Sequence, residues 1–483
     1  MKVKDQPGED TFGVNAEQRN ATPAIPGWLP VVLMGVLLAA VAKQGVRAIS
    51  DPDAFWHLRL GEDILDARSV SSVTGSWSSI SSQPWVPTQW LTEAVLAVLE
   101  DLGGLPAVAW AFTVTLLALV LLVHRSARHV ADPVPAAFST GLTILAMSAS
   151  LSPRPHMATY LLLCVTLLAW LRTIDDLRPR WWLVAVTWVW AMSHGMWFVG
   201  PVVGLAVVGG LVLDRRLDRS SVLRLAAVPI GSVAVAALTP VGPALLQAPF
   251  AVAGVGAFIT EWQPPSFREI GPAVAALMVA SVVVSWSRST RRVRWAEVAL
   301  LLLAAAWILL ATRTVALGAV IVSPLVAAAL QGALRRDAQM PARAELWTLQ
   351  GIAAAIACVA LFVVPTIASE PGNVPSALSR ELDALPAGSV VHNDYKLGGW
   401  LRWRHPDLEP VVDGMTEAYS VEHLQDYGRV QAVAADWQET FDEWQPAAAL
   451  VLDRSPLATA LVEQRGWVTV VEDDGYVLLT PID

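Results

Sequence analysis

Residues 28–46, WLPVVLMGVLLAAVAKQGV, form an apolar run that turns polar only at Lys43 and Gln44, and from 49 the chain continues ISDPDAFWHLRLGEDIL. A helix needs roughly 20 mostly apolar residues to cross the hydrocarbon core of a bilayer, and this run supplies them. No small-residue cleavage site follows it, so it reads as a membrane span that doubles as an uncleaved signal anchor. The first 26 residues are polar, with Lys2, Lys4 and Arg19 among several acids, and read as a disordered cytoplasmic tail.

The rest of the chain repeats the pattern. Only 16% of the residues are charged and 54% are hydrophobic, against about a quarter charged in soluble domains. Apolar runs near 28–46, 105–123, 133–151, 156–171, 181–194, 197–213, 222–240, 271–287, 296–312, 316–333 and 348–367 predict about eleven spans. Every second loop is basic: Arg125 and Arg128; Arg172, Arg178 and Arg180; Arg215, Arg216, Arg219 and Arg224; Arg288, Arg291, Arg292 and Arg294; Arg335, Arg336 and Arg343. Cationic loops stay cytoplasmic, so the N-terminus is expected inside and the C-terminal region outside. The expected division is a tail at 1–26, a transmembrane domain at 27–368 with a long first outer loop at 47–104, and a soluble extracytoplasmic domain at 369–483. Cys164 and Cys358 both fall in apolar runs and read as small packing residues. Nothing in the chain suggests nucleic-acid binding.

The C-terminal region alternates short elements. GSVVH and EPVVDG read as strands, LGGWLRWRH as a short helix, SVEHLQDYGRVQAVAADW as a helix, PAAALVLDR as a strand and PLATALVEQRG as a helix. WVTVVEDDGYVLLTP reads as a hairpin turning at Asp474–Gly475. The fold class is therefore a polytopic α-helical membrane protein with a C-terminal α/β domain.

In the first outer loop, Pro52 keeps the turn after the first span tight. Phe55, Trp56, Leu58, Leu60, Ile64 and Leu65 give one apolar face, with Asp53, His57, Glu62 and Asp63 on the other. This predicts an amphipathic helix lying in the membrane interface, with its tryptophan at headgroup depth. A second amphipathic helix is expected at 88–102, carrying Trp90 and Glu93. Asp51 is placed to cap the first of these helices, and Asp53 to act as a general base or metal ligand on a lipid-linked substrate. Asp51, His57 and Glu62 are the other catalytic candidates.

The segments DPDAFWHLRLGEDIL and SSQPWVPTQWLTEAVLAVLEDLGG resemble a large group of bacterial membrane proteins placed in the GT-C glycosyltransferase superfamily. Asp51, Asp53, Trp56, His57, Leu58, Gly61, Pro84, Trp85, Trp90 and Leu91 match that group's first-loop pattern, while Gln89 stands where an acid is expected. SPRPH (152–156), WVWAMSHGMWFVG (188–200), TPVGPALL (239–246), EWQPPSF (261–267) and VVHNDYKLGGWLRWRHP…PVVDGMTEAY (390–419) continue the match. Met415 replaces the arginine that follows D-G in the group. The resemblance implies an inverting glycosyltransferase that takes a sugar from a polyprenyl-phosphate-linked donor on the outer face. Its partners would be that lipid-linked donor, membrane lipids and a cell-envelope glycan or protein acceptor.

Ionisable groups at span ends are costly and are functional candidates by default. Arg154 and His156, His194, Glu261 and Arg313 all fall at the end of the bundle that carries Asp51 and Asp53. Two arginines there could clamp a carrier phosphate bidentately, with His156 and His194 donating to it. Asn393, Asp394, Asp413 and Gly414 could form an acceptor site at strand ends in the soluble domain. No metal site is defined by ligand spacing, and the cofactor is left open, a divalent cation being one option. A flippase or transporter for a lipid-linked precursor, or a non-catalytic scaffold with an extracytoplasmic binding domain, are the competing classes. A transporter should carry ionisable groups near the bilayer midplane or internal repeats, and neither is visible.

Overall fold

The computed structural model describes residues 26, 28–70, 79–80, 85–247, 259–334, 338–339 and 342–482. Residues 1–25 of the expected tail, Pro84, Arg335 and Arg336 lie outside those residues.

Helices stand where the sequence places spans. They are α1 Leu29–Gly45, the second half of α3 Trp90–Arg128, α4 Pro133–Met147, α5 His156–Asp176, α6 Trp182–Ser193 and α7 Val199–Leu213. α8 Arg219–Ala236, α9 Ile270–Ser287, α10 Trp295–Leu310, α11 Val315–Ala333 and α12 Arg343–Ile367 complete the bundle. Among the described residues, seven helices are long and apolar enough to cross a membrane, one of them α7 extended back to Gly195 by a single 3₁₀ turn. α1, α6 and α10 are shorter apolar helices. α11 is the hub, packing against α3, α4, α5, α9 and α10. The core between these helices is apolar, with Trp170, Trp190, Leu38 and Leu119 fully buried. The protein is a multi-pass membrane protein by this architecture.

α2 Pro52–Ala67 follows the first span. Asp51 caps it, its side chain accepting from Asp53 N at 3.0 Å, and Pro52 takes the first turn, where a missing N–H costs nothing. α3 begins as the expected amphipathic helix and breaks at Gly103–Gly104 before entering the bundle; Gly104, at φ 64°, makes the break possible. The expectation that α2 lies in the membrane interface is corrected here. Phe55, Trp56, Leu58 and Leu60 are each at most 4% exposed, packed between the first half of α3 and the soluble domain. Burial of such side chains stabilises by roughly 1.5–3 kcal/mol each, so α2 is the anvil on which the domain is seated.

In that domain, β1 Val390–Asn393 lies between β2 Glu409–Pro410 and β3 Ala448–Leu452, parallel to both. β5 Tyr476–Thr480 runs antiparallel to β3 and to β4 Val468–Asp473, giving the order β2-β1-β3-β5-β4. The hairpin turns at Asp474 and Gly475, both at positive φ. Five helices surround the sheet: α13 Ser379–Asp383, α14 Gly398–Arg404, α15 Val421–Gln431, α16 Trp437–Glu443 and α17 Pro456–Arg465. The single helix expected over SVEHLQDYGRVQAVAADW is instead α15 and the start of α16, separated by a turn at Val433 (φ 52°). α14 packs directly on α2.

Candidate functional site

The chain brings together, at the end of the bundle under the soluble domain, residues from segments more than 100 positions apart. Pro153 and Pro155 hold Arg154 in a tight turn between α4 and α5, and its guanidinium is the centre of the site. Its Nε donates to Asp51 Oδ2 at 2.6 Å, and its Nη1 lies 2.7 Å from Asp53 Oδ2 and 2.9 Å from Glu261 Oε1. The second oxygen of Glu261 sits 3.2 Å from Arg313 Nη1. Arg313, in the 3₁₀ turn between α10 and α11, also places Nη2 3.4 Å from His194 Nε2 and lies over the Trp262 ring. The His194 ring is fixed from behind, its Nδ1 2.9 Å from Thr159 Oγ1, which in turn accepts from Trp190 Nε1 at 2.8 Å.

These groups open into a cavity of about 780 Å³. Asp53, Trp56, His57, Arg154, His194, Glu261 and Arg313 form its membrane-side wall. The soluble domain closes it with Tyr395 and Lys396, which follow β1, and with Val412, Gly414, Thr416 and Glu417, which follow β2. Ligands in α/β sheets bind beyond the carboxyl ends of strands, and this wall is built from two such ends. Gly414 is the closest approach: a Cβ there would overlap the Asp53 carboxylate and come within 2.6 Å of Trp56 Nε1.

Burial and charge separate the carboxyls. For Asp51, burial pushes upward, but the charge and hydrogen bond of Arg154 outweigh it and hold the carboxyl below the usual range. Asp53 is pushed up to about 6, by burial first and then by the charges of Asp51 and Glu261, with Arg154 opposing. Burial also works against ionised Glu261, yet Arg313 and Arg154 keep it below its ordinary value. Two neighbouring carboxyls thus stay ionised as partners of the arginines, while Asp53 titrates nearer neutrality.

The sequence candidates fare unequally. Asp51, Asp53, Arg154, His194, Glu261 and Arg313 form one connected cluster. His57 lines the cavity but is 4% exposed and does not face water as expected. Its Nδ1 lies 2.8 Å from Glu93 Oε1. Burial, reinforced by the nearby arginine charges, drives His57 well below its ordinary value, and burial and Glu417 drive fully buried Glu93 well above its own, so burial disfavours the charged form of both. His156 stands behind the wall, its Nε2 2.7 Å from the Ser150 carbonyl, with its ring 6.3 Å from that of His194. Glu62 is away from the cavity, at the surface beside Arg59. Asn393 Nδ2 donates to the carbonyls of Asp394 and Val412 at 2.8 Å, tying the ends of β1 and β2 together. Asp413 is fully buried, paired with Arg402 Nε at 2.8 Å and accepting from Met415 N at 2.8 Å. Both residues shape the loop that carries Gly414 instead of lining the cavity. Met415, in place of the expected arginine, packs in the apolar cluster with Trp56 and Leu60.

Three positions emerge only in three dimensions. Glu93 sits one helical turn beyond Gln89, where an acid was expected, and Gln89 itself lines the cavity. Tyr395 and Glu417 reach the cavity from the soluble domain, and burial raises the pKa of both. The NDY and DGMTE stretches were the only sequence signal for them.

A divalent cation does not fit the acids of this cluster. Their oxygens converge on the Arg154 guanidinium, Asp51 at 2.6 Å, Asp53 at 2.7 Å and Glu261 at 2.9 Å, and among the described residues no group of three or more His, Cys, Asp or Glu is arranged to hold a metal ion.

No protein-family model and no curated protein matches the chain. Solved structures do. The archaeal oligosaccharyltransferase AglB from Archaeoglobus fulgidus, in complex with an inhibitory peptide and a dolichol-phosphate, matches with a TM-score of 0.57 at 12% identity, over 88% of this chain and 69% of that one. ArnT from Cupriavidus metallidurans bound to undecaprenyl phosphate matches with a TM-score of 0.53 at 16% identity, over 94% of this chain and 98% of that one. Apo ArnT from the same organism matches equally, at 17% identity. Identities this low speak for the fold alone: over most of its length this chain shares the overall fold of AglB and ArnT.

Proposed function

We propose that this protein transfers a sugar from a polyprenyl-phosphate-linked donor to a cell-envelope acceptor on the outer face of the membrane. The observation that carries the reading is Glu261, whose two oxygens are held between Arg154 and Arg313 at 2.9 and 3.2 Å. A carboxylate bridging two guanidinium groups stands in for the anion they are built to hold, and a carrier phosphate would take its place. The alternation of basic loops supports an orientation with the cavity outside and the opposite, arginine-rich end inside.

In this reading the acceptor hydroxyl attacks the anomeric carbon of the donor sugar. A new C–O bond forms there while the bond from that carbon to the carrier phosphate breaks, its electron pair leaving with the phosphate. Arg154 and Arg313 stabilise the charge that develops on that phosphate. Asp53 takes the acceptor proton, its raised pKa making it a stronger base than an ordinary aspartate. Tyr395, Lys396 and Glu417 line the opposite wall, where an acceptor would enter from the aqueous side.

The test uses the full chain in nanodiscs with radiolabelled polyprenyl-phosphate sugars, comparing wild type with Asp53→Asn. Release of free polyprenyl phosphate by the wild type only is the expected result. Movement of intact donor across a proteoliposome bilayer without bond cleavage would replace this reading with transport. Binding of undecaprenyl phosphate that is unchanged in an Arg154→Ala, Arg313→Ala double variant would remove the clamp.

A further inference from the structure

At the other end of the bundle, a second cavity of about 500 Å³ opens between α3 and α12. Leu121, Leu122, Leu346 and Leu349 form its walls, and Arg125, Arg343 and the 72% exposed Trp347 stand at its mouth. The neighbouring acid, Glu345, is already spent. Arg128 grips it bidentately at 2.7 and 3.0 Å, and His124 Nε2 lies 3.6 Å away. Among the described residues, Arg125 and Arg343 have no acidic partner, and Arg172 of α5 is within electrostatic range of Arg125. Among the described residues, the groove therefore combines leucine walls with a cationic mouth that no acid neutralises.

We infer that this groove is a binding site for an anionic phospholipid, its head-group phosphate held by Arg125 and Arg343 and its acyl chains lying along α12. Charge complementarity selects an anion, and basic pockets between helices at the cytoplasmic end of a bundle suit anionic lipid heads. The surface beyond the groove selects a lipid as its carrier: Leu361 of α12, five turns above Arg343 on the same helix face, is 50% exposed, so the groove continues into an apolar strip along the helix. Trp347, exposed beside the two arginines, offers an amphipathic ring of the kind that packs beside lipid head groups. A protein helix would have to match two free arginines inside a leucine-lined slot, whereas a phospholipid presents one phosphate above two chains. The site is separate from the cavity under the soluble domain and independent of the reaction assigned there.

The experiment is native mass spectrometry of the delipidated full chain, titrated with dioleoyl phosphatidylglycerol or dioleoyl phosphatidylcholine. One tightly bound phosphatidylglycerol and no comparable phosphatidylcholine is expected. In the Arg125→Gln, Arg343→Gln double variant the phosphatidylglycerol affinity should fall about thirtyfold, each surface arginine being worth about fivefold toward an anionic head. Equal binding of both lipids, or unchanged binding in the variant, would overturn the site. Equal competition by free glycerol phosphate would reduce it to a simple anion site. Should the double variant fail to fold, a photo-crosslinker at Gln350 in the otherwise native chain decides: capture of phosphatidylglycerol supports the site, and capture of a protein alone refutes it.

Discussion

Arg154 Nη1 lies 2.7 Å from Asp53 Oδ2, and the same nitrogen lies 2.9 Å from Glu261 Oε1. One guanidinium thus holds the proposed base and the carboxylate that occupies the proposed phosphate position. Replacing Asp53 with Asn removes the charge but not the volume. Turnover per mole of correctly inserted Asp53→Asn protein is expected to fall by about 10²–10⁴-fold, the usual contribution of a positioned base. Asp51→Asn should act differently, because an Asn still caps α2 and only the charged bond to Arg154 is lost. The expected effect is about 1–3 kcal/mol of stability with most turnover retained. Wild-type turnover in Asp53→Asn would leave the site without its base.

The pH profile follows from Asp53. Its carboxyl, raised to about 6 in the folded protein, must be ionised to accept a proton, so turnover should rise with pH through about 6 and level off above it. The sign for stability is the reverse: a carboxyl whose folded pKa lies above its unfolded value favours the folded state at low pH, and that advantage is lost as pH rises from about 4 through about 6. A rate profile that is flat between pH 5 and 8 would exclude Asp53 as the base.

Arg313 touches both Glu261 and His194. Lysine preserves the charge but not the fork, so Arg313→Lys should lose about tenfold in affinity for undecaprenyl phosphate, and Arg313→Ala more. Calorimetric titration of purified protein with the carrier checks this. Wild-type affinity in Arg313→Ala would take that arginine out of the clamp.

Gly414 tests the seating of the soluble domain. A methyl group there collides with the Asp53 carboxylate and the Trp56 indole, which are part of a packed helix and cannot both withdraw. Gly414→Ala is expected to cut turnover by at least tenfold, about 1.4 kcal/mol, while leaving membrane insertion intact. Cleavage by a protease in the stretch between α12 and the domain should become faster if the domain loosens.

Orientation is checked by reporter fusions. A periplasmic-type reporter after Asp483 should be active and one inserted at 288–294 inactive, because basic loops remain on the cytoplasmic side. The opposite pattern would put the Asp53 cavity inside and require a cytoplasmic acceptor.

What the sequence by itself determined is local. Hydropathy runs placed the bundle's helices, alternation and turn residues placed the strands and the Asp474–Gly475 hairpin, and Asp51–Pro52 announced the start of α2. Each of these depends on neighbours within a few residues, so a single chain carries the whole signal. The site was legible only as a set of polar residues at one end of the spans. The tertiary structure decided which of them meet, because Arg154 contacts Asp51 across 103 positions and Glu261 across 107. It also decided what covers α2. An amphipathic face has the same spacing whether lipid or protein lies against it, so the pattern of Phe55, Trp56, Leu58 and Leu60 could not reveal that the soluble domain is its partner. That docking covers the His57–Glu93 pair, leaves Glu62 outside, and brings Tyr395 and Glu417 to a cavity whose other wall begins at Asp53, more than 300 residues earlier.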